Sequence, residues 1–95
     1  MQKIWKYQLH DEVENKISLP TTAKVVRFDR QIDNLCMWVA VDDLYLEKLE
    51  ERVFKIIPTG ADFGNFDTYR GTVITDNGLV WHLIELRKGI ITKGV

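Results

Sequence analysis

Apolar and polar residues alternate along most of this chain with the period of two that places successive side chains on opposite faces of a β-strand. From Lys3 to Leu9, Trp5, Tyr7 and Leu9 fall on one face and Lys6 and Gln8 on the other, which predicts a half-buried first strand. The polar, acidic run from His10 to Glu14 reads as a turn. Lys16 to Leu19 alternates again and stops at Pro20, which lacks the N–H that a central ladder needs, so the second strand is predicted to be short or at an edge. Ala23 to Arg30 gives a third strand with Val26 and Phe28 facing inward, although Val25 blurs the alternation. Gln31 to Asn34 supplies turn residues. The almost unbroken apolar run Leu35–Val41 that follows suits the most central strand, covered on both faces. Arg52 to Ile57 returns to strand character and ends at Pro58. Helical spacing competes only between Asp42 and Glu51, where Asp42 or Asp43 can cap, and Asp43/Glu47 and Leu44/Lys48 stand at i,i+4. A short helical turn near 43–50 is the expectation there.

The strongest local signal is Asn77-Gly78 between two β-rich runs, since a two-residue type I′ turn needs positive φ at both central positions. With those two residues as the loop, Ile74/Trp81, Thr72/Leu83 and Arg70/Glu85 pair on one face. Thr75/Val80, Val73/His82, Gly71/Ile84 and Tyr69/Leu86 pair on the other. A three-residue loop with Gly78 in a bulge is the second choice, because it breaks the match of Arg70 with Glu85. Six or seven short strands, with turns at spacings of roughly 8 to 12 residues, predict an all-β antiparallel sandwich or small barrel. The expected organisation is one β domain over 1–88 and a flexible C-terminal tail over 89–95, which frays or adds a strand to a neighbouring molecule.

Ninety-five residues hold one core and no second domain. Thirteen Lys and Arg against fourteen Asp and Glu remove the electrostatic argument for nucleic acid as the main partner. The single cysteine, Cys36, sits in an apolar run and reads as a small buried hydrophobe. It allows no internal disulfide, so a reducing compartment is expected. No signal-peptide core is seen, and no apolar run approaches the ~20 residues of a membrane span, so a soluble, cytoplasmic protein is expected.

Chemistry is sparse. The chain has no glycine-rich phosphate loop, no paired-cysteine or HExxH spacing and no Gly-x-Ser-x-Gly elbow. His10 lies in an acidic turn and His82 in a strand, so no nucleophile, base and orienting group assemble from spacing. His10 with Asp11, Glu12 and Glu14 offers cation ligands, but contiguous acids in a turn are more often a solvated surface. A non-enzymatic protein without a cofactor or metal is expected. The informative stretch is the loop from Thr59 to Thr68. Phe63 and Phe66 sit there among Gly60, Asp62, Gly64, Asn65 and Asp67, with little room to bury both rings. Exposed rings on a loop held by a rigid scaffold make a binding surface; folded back, they make a lid on the core. Phe63, Phe66, Asp62 and Asn65, with Arg70 near the loop base, are the candidate contacts. Arg52 and Lys55 are candidate cations for an anionic ligand. Trp5, Trp38 and Trp81 read as core or sheet-face packing. Lys3, Lys6, Arg87 and Lys88 can line one edge, as a cationic strip or as protection against strand addition.

The order of short motifs along nearly the whole chain resembles a family of small bacteriophage and prophage proteins labelled as a domain of unknown function. The motifs are Ile4-Trp5-Lys6-Tyr7, Leu19-Pro20 followed two residues later by Ala23-Lys24-Val25, Met37-Trp38-Val39-Ala40-Val41-Asp42, Arg52-Val53-Phe54 with Thr59-Gly60, and Tyr69-Arg70-Gly71-Thr72 with Leu79-Val80-Trp81-His82. Leu44 to Glu51 departs from the family as an enlarged connection. The resemblance implies a phage origin and an all-β fold and transfers no catalytic residue. A phage protein of this size is expected to act by binding in the host cytoplasm. The expected target is a host defence system, reached through a defence protein or by sequestering a small nucleotide signal, in a homo-oligomer. The alternatives are a single-stranded nucleic-acid module of small-barrel type and a structural or assembly component.

Overall fold

The computed structural model describes residues 1–42 and 48–86. Most of the helical turn expected near 43–50 lies outside the described residues, as do Arg87, Lys88 and the tail 89–95. Leu49 and Glu50, at the end of that segment, are strand. Seven strands follow one another: β1 Gln2–Leu9, β2 Asn15–Pro20, β3 Lys24–Gln31, β4 Asn34–Asp42, β5 Leu49–Pro58, β6 Thr68–Ile74 and β7 Val80–Leu86. They form two antiparallel sheets, ordered β1-β4-β3 and β2-β5-β7-β6. The all-β architecture is therefore the one the alternation predicts.

β4 lies between β1 and β3, and its alternation decides the core. Met37, Val39 and Val41 point inward and are buried with Leu19, Phe54, Ile56 and Leu83 of the other sheet. On the outward side Cys36 is buried, whereas Trp38 and Ala40 are half-buried. Trp5 and Trp81 pack against the core; Trp38 belongs to the outer face. β2 is an edge strand that ends on Pro20, as the missing proline donor requires.

Two bulges set the register, and each corrects an expectation. In β3 the pairing shifts between Val25 and Arg27, so Val26 is the inserted residue and is 55% exposed instead of inward. Val25 before the bulge and Phe28 after it both reach the core, which explains the broken alternation. In the β6–β7 hairpin, Thr75 N donates to Leu79 O at 2.8 Å and Gly78 N to Thr75 O at 2.9 Å, with Gly78 at φ 84°. The loop is thus the three-residue form with Gly78 in the left-handed region, and Thr72 stands opposite His82, not Leu83. Asn77 Oδ1 accepts from Leu79 N, and Asp76 is held across the sandwich by Arg30 at 2.8 Å, both of which favour the longer loop. Arg70 nevertheless meets Glu85, because a second bulge between Tyr69 and Gly71 shifts the pairing again.

The β3–β4 turn places Ile32 at φ 57° with its side chain 86% exposed. A β-branched residue in the left-handed region costs on the order of 1–2 kcal/mol, and no burial offsets it here. Ile32→Asn is expected to raise stability by about 1 kcal/mol, because Asn tolerates that conformation. Urea denaturation of the two proteins checks it; an unchanged or lower midpoint means that Ile32 is not strained.

Candidate functional site

The site is built on a crossover. β5 and β6 are both antiparallel to β7 and flank it, so they run parallel to each other. The connection 59–67 must therefore travel the length of β7, roughly 23 Å, to return to the sheet's other end. The inner face is filled by the opposite sheet, which leaves the outer face as its path. The burial of Ile57 and Ile84 fits this path: alternation turns both outward, yet they are only 4% and 1% exposed. The crossover starts in a turn closed by Ala61 N donating to Pro58 O at 3.1 Å. Gly60, at φ 94°, takes the position that requires a left-handed residue. It ends where Asp67 N donates to Glu85 O at 2.9 Å.

Phe63 and Phe66 stand on this strap with ring centroids 5.7 Å apart and planes tilted by 47°. They are 47% and 43% exposed and do not belong to the buried core cluster. Asp62 and Asn65 beside them are exposed. The strap's first residue is fastened to the sheet by a histidine: His82 Nε2 and Thr59 Oγ1 are 2.7 Å apart, and His82 Nδ1 meets Tyr69 Oη at 2.7 Å and Thr72 Oγ1 at 3.2 Å. A hydroxyl on an imidazole is the beginning of a nucleophile–base pair, but the orienting partners at Nδ1 are hydroxyls rather than a carboxylate. The cluster links the end of β5 with β6 and β7. Local spacing does not disclose it, since a two-residue turn sets His82 opposite Val73 and hides Thr72 and Tyr69 as its partners.

The candidate cations do not gather beneath the rings. Arg52 lies inside the sandwich, where Nε and Nη2 donate to Glu85 at 2.7 and 2.8 Å and Nη1 donates to Ala23 O at 2.7 Å. Arg70, half-buried, donates from Nε and Nη2 to the same carboxylate at 3.1 and 2.6 Å. Lys55 alone of the three faces outward, paired in register with Ile84. Burial by itself raises the Glu85 carboxyl, but hydrogen bonds from Arg52 and Arg70 outweigh it and hold the group below its ordinary value. The hydrogen bond to Glu85 in turn holds the Arg52 guanidinium above its usual range against desolvation. Among the described residues no group of three or more His, Cys, Asp or Glu side chains stands close enough to hold a metal ion. Among the described residues no helix is long and apolar enough to cross a membrane.

Residues 1–92 match a family described as Domain of unknown function (DUF7352). No curated protein and no solved structure matches the chain.

Glu85→Gln leaves the Arg52 charge in the interior with a neutral partner and is expected to cost about 3 kcal/mol. Because the folded carboxyl is lowered, its contribution is complete above the ordinary value of 4.5 and is lost as pH falls below it towards the folded value. Stability of the wild type is expected to drop more steeply than that of Glu85→Gln through that acid range, as followed by thermal unfolding. Parallel pH profiles contradict the assignment.

Proposed function

This chain belongs to the DUF7352 family, and we propose that it is a non-enzymatic binding protein of phage origin whose contact surface is the crossover bearing Phe63 and Phe66. It acts in the host cytoplasm on a protein of a defence system. The order of motifs from Ile4-Trp5 to Trp81-His82 supports the phage origin. The observation that carries the binding reading is the pair of half-exposed rings, tilted on each other at 5.7 Å. Large aromatic side chains contribute much contact area at small conformational cost, and a tethered strap presents them already ordered. Asp62 and Asn65 give the pair a polar rim. Gly60 and the Thr59–His82 contact fix where the strap begins.

A protein target is favoured over a nucleotide signal. Sequestering a nucleotide calls for cations directed at phosphate, and both arginines near the strap are engaged by one buried carboxylate. Lys55 on the outer face is the cation that remains for an anion.

Affinity capture from host cells with the wild type and with Phe63→Ser/Phe66→Ser tests the reading. The expected result is one stoichiometric host protein on the wild type and at least tenfold less on the double variant. The variant's melting temperature should change little, because neither ring is in the core. A wild type that recovers no partner, or a variant that recovers the same one equally, overturns the reading. Melting that falls by many degrees assigns the rings to packing instead.

A further inference from the structure

The end of the sandwich opposite the Glu85 cluster is open. The β1–β2 turn, the β3–β4 turn and the β6–β7 hairpin surround a cleft of about 550 Å³, within the range of small-molecule sites. Its floor is apolar: Leu35, Ile56 and the indole of Trp81 line it. Its rim is acidic. Asp76 is matched by Arg30 at 2.8 Å, whereas Asp11 and Asp33 have no cationic partner among the described residues. His10, on the same rim, has its backbone held by Asn15, with His10 N donating to Asn15 Oδ1 and His10 O accepting from Asn15 Nδ2, both at 2.9 Å. Among the described residues, the two non-glycine positions with positive φ, Glu12 and Ile32, lie in two of the turns around this mouth.

We infer that this mouth is a binding site for a small organic cation with an apolar or aromatic body, distinct from the crossover surface. The apolar body enters over Leu35, Ile56 and Trp81, and the ammonium group stays at the rim between Asp11 and Asp33. An aromatic body gains ring contact with the indole, and an ammonium gains from two carboxylates in a partly desolvated cleft. The same rim repels carboxylates and phosphates, so an anion of equal size and shape is excluded. The site commits to amines by charge and to a flat apolar body by its floor.

The matched probes are 1-naphthylmethylamine and 1-naphthoate, titrated into the full-length ¹⁵N-labelled protein while the Trp81 indole N–H resonance is followed. A drug-fragment-sized amine is expected to saturate at about millimolar concentration. 1-Naphthoate is expected to leave the resonance in place. Asp11→Asn/Asp33→Asn, at two exposed positions, is expected to keep the wild-type melting temperature and to bind the amine about tenfold more weakly. Absence of a saturable shift at Trp81 overturns the site. Binding of the carboxylate as tightly as the amine, or an undiminished amine affinity in the double variant, overturns the assignment of charge.

Discussion

The interaction on which the rest depends is the buried contact of Glu85 with two arginines. Glu85 and Arg52 are both nearly inaccessible, and an isolated charge in that position is prohibitive. It is tolerated because every strong group has a partner. Arg52 donates two bonds to the carboxylate and a third to Ala23 O, Arg70 donates two more, and no buried side-chain nitrogen or oxygen among the described residues is left unsatisfied. Removing either partner of such a pair leaves the other charge buried and uncompensated, so the elements that carry them are held together. Here the cluster holds three things at once: the β2–β3 turn that carries Ala23, the pairing of β5 with β7, and the bulge that delivers Arg70. It stands beside a cleft of about 440 Å³ that Arg52 and Glu85 line together with Thr21 and Asp67.

The molecule is consequently asymmetric from end to end. At the Glu85 end the charges are matched, and the arginines closest to the crossover are engaged by one carboxylate. At the other end the turns surround a cleft lined by Trp81, and Asp11 and Asp33 have no cationic partner among the described residues. Between the ends, the crossover lies over the outer face of β7 with its rings presented to solvent. The hairpin β6–β7 is common to all three regions. Its loop forms part of the mouth, His82 anchors the strap, and Glu85 gathers Arg52 and Arg70.

Much of this architecture is legible in the residues, and the exceptions share a cause. Alternation marks β1 to β3, Asn77-Gly78 marks the β6–β7 hairpin, and Pro20 marks an edge, because these signals are local. The apolar run Leu35–Val41 marked the centre of its sheet for the same reason. Val26 was read as inward because alternation presumes an unbroken register, and a bulge is one inserted residue with no residue type of its own. Asn77-Gly78 favours the two-residue turn locally, but the partner that holds Asp76, Arg30, lies far away in sequence. Two shifts in the same direction put Thr68 opposite Glu85, and Arg70 meets the carboxylate from the bulge between Tyr69 and Gly71 and not from a paired position. The polar and glycine neighbours of Phe63 and Phe66 leave open whether the rings are presented or folded back as a lid; they are 47% and 43% exposed. The commitment of Arg52 to Glu85 depends on a pairing across strands that spacing does not disclose, as do the partners of His82 and the acidic mouth.

The central claim is that one hairpin register positions the mouth, the strap and the ionic cluster together. Cross-strand Hα–Hα and amide NOEs between β6 and β7 in the wild-type protein test it most directly. Contacts that place Thr72 opposite His82 and Tyr69 opposite Ile84, with Arg70 inserted between the two pairings, are the predicted result. Contacts that place Thr72 opposite Leu83 and Val73 opposite His82 would contradict the account, since that register breaks up the His82 cluster and removes the reason for the Arg70 bulge.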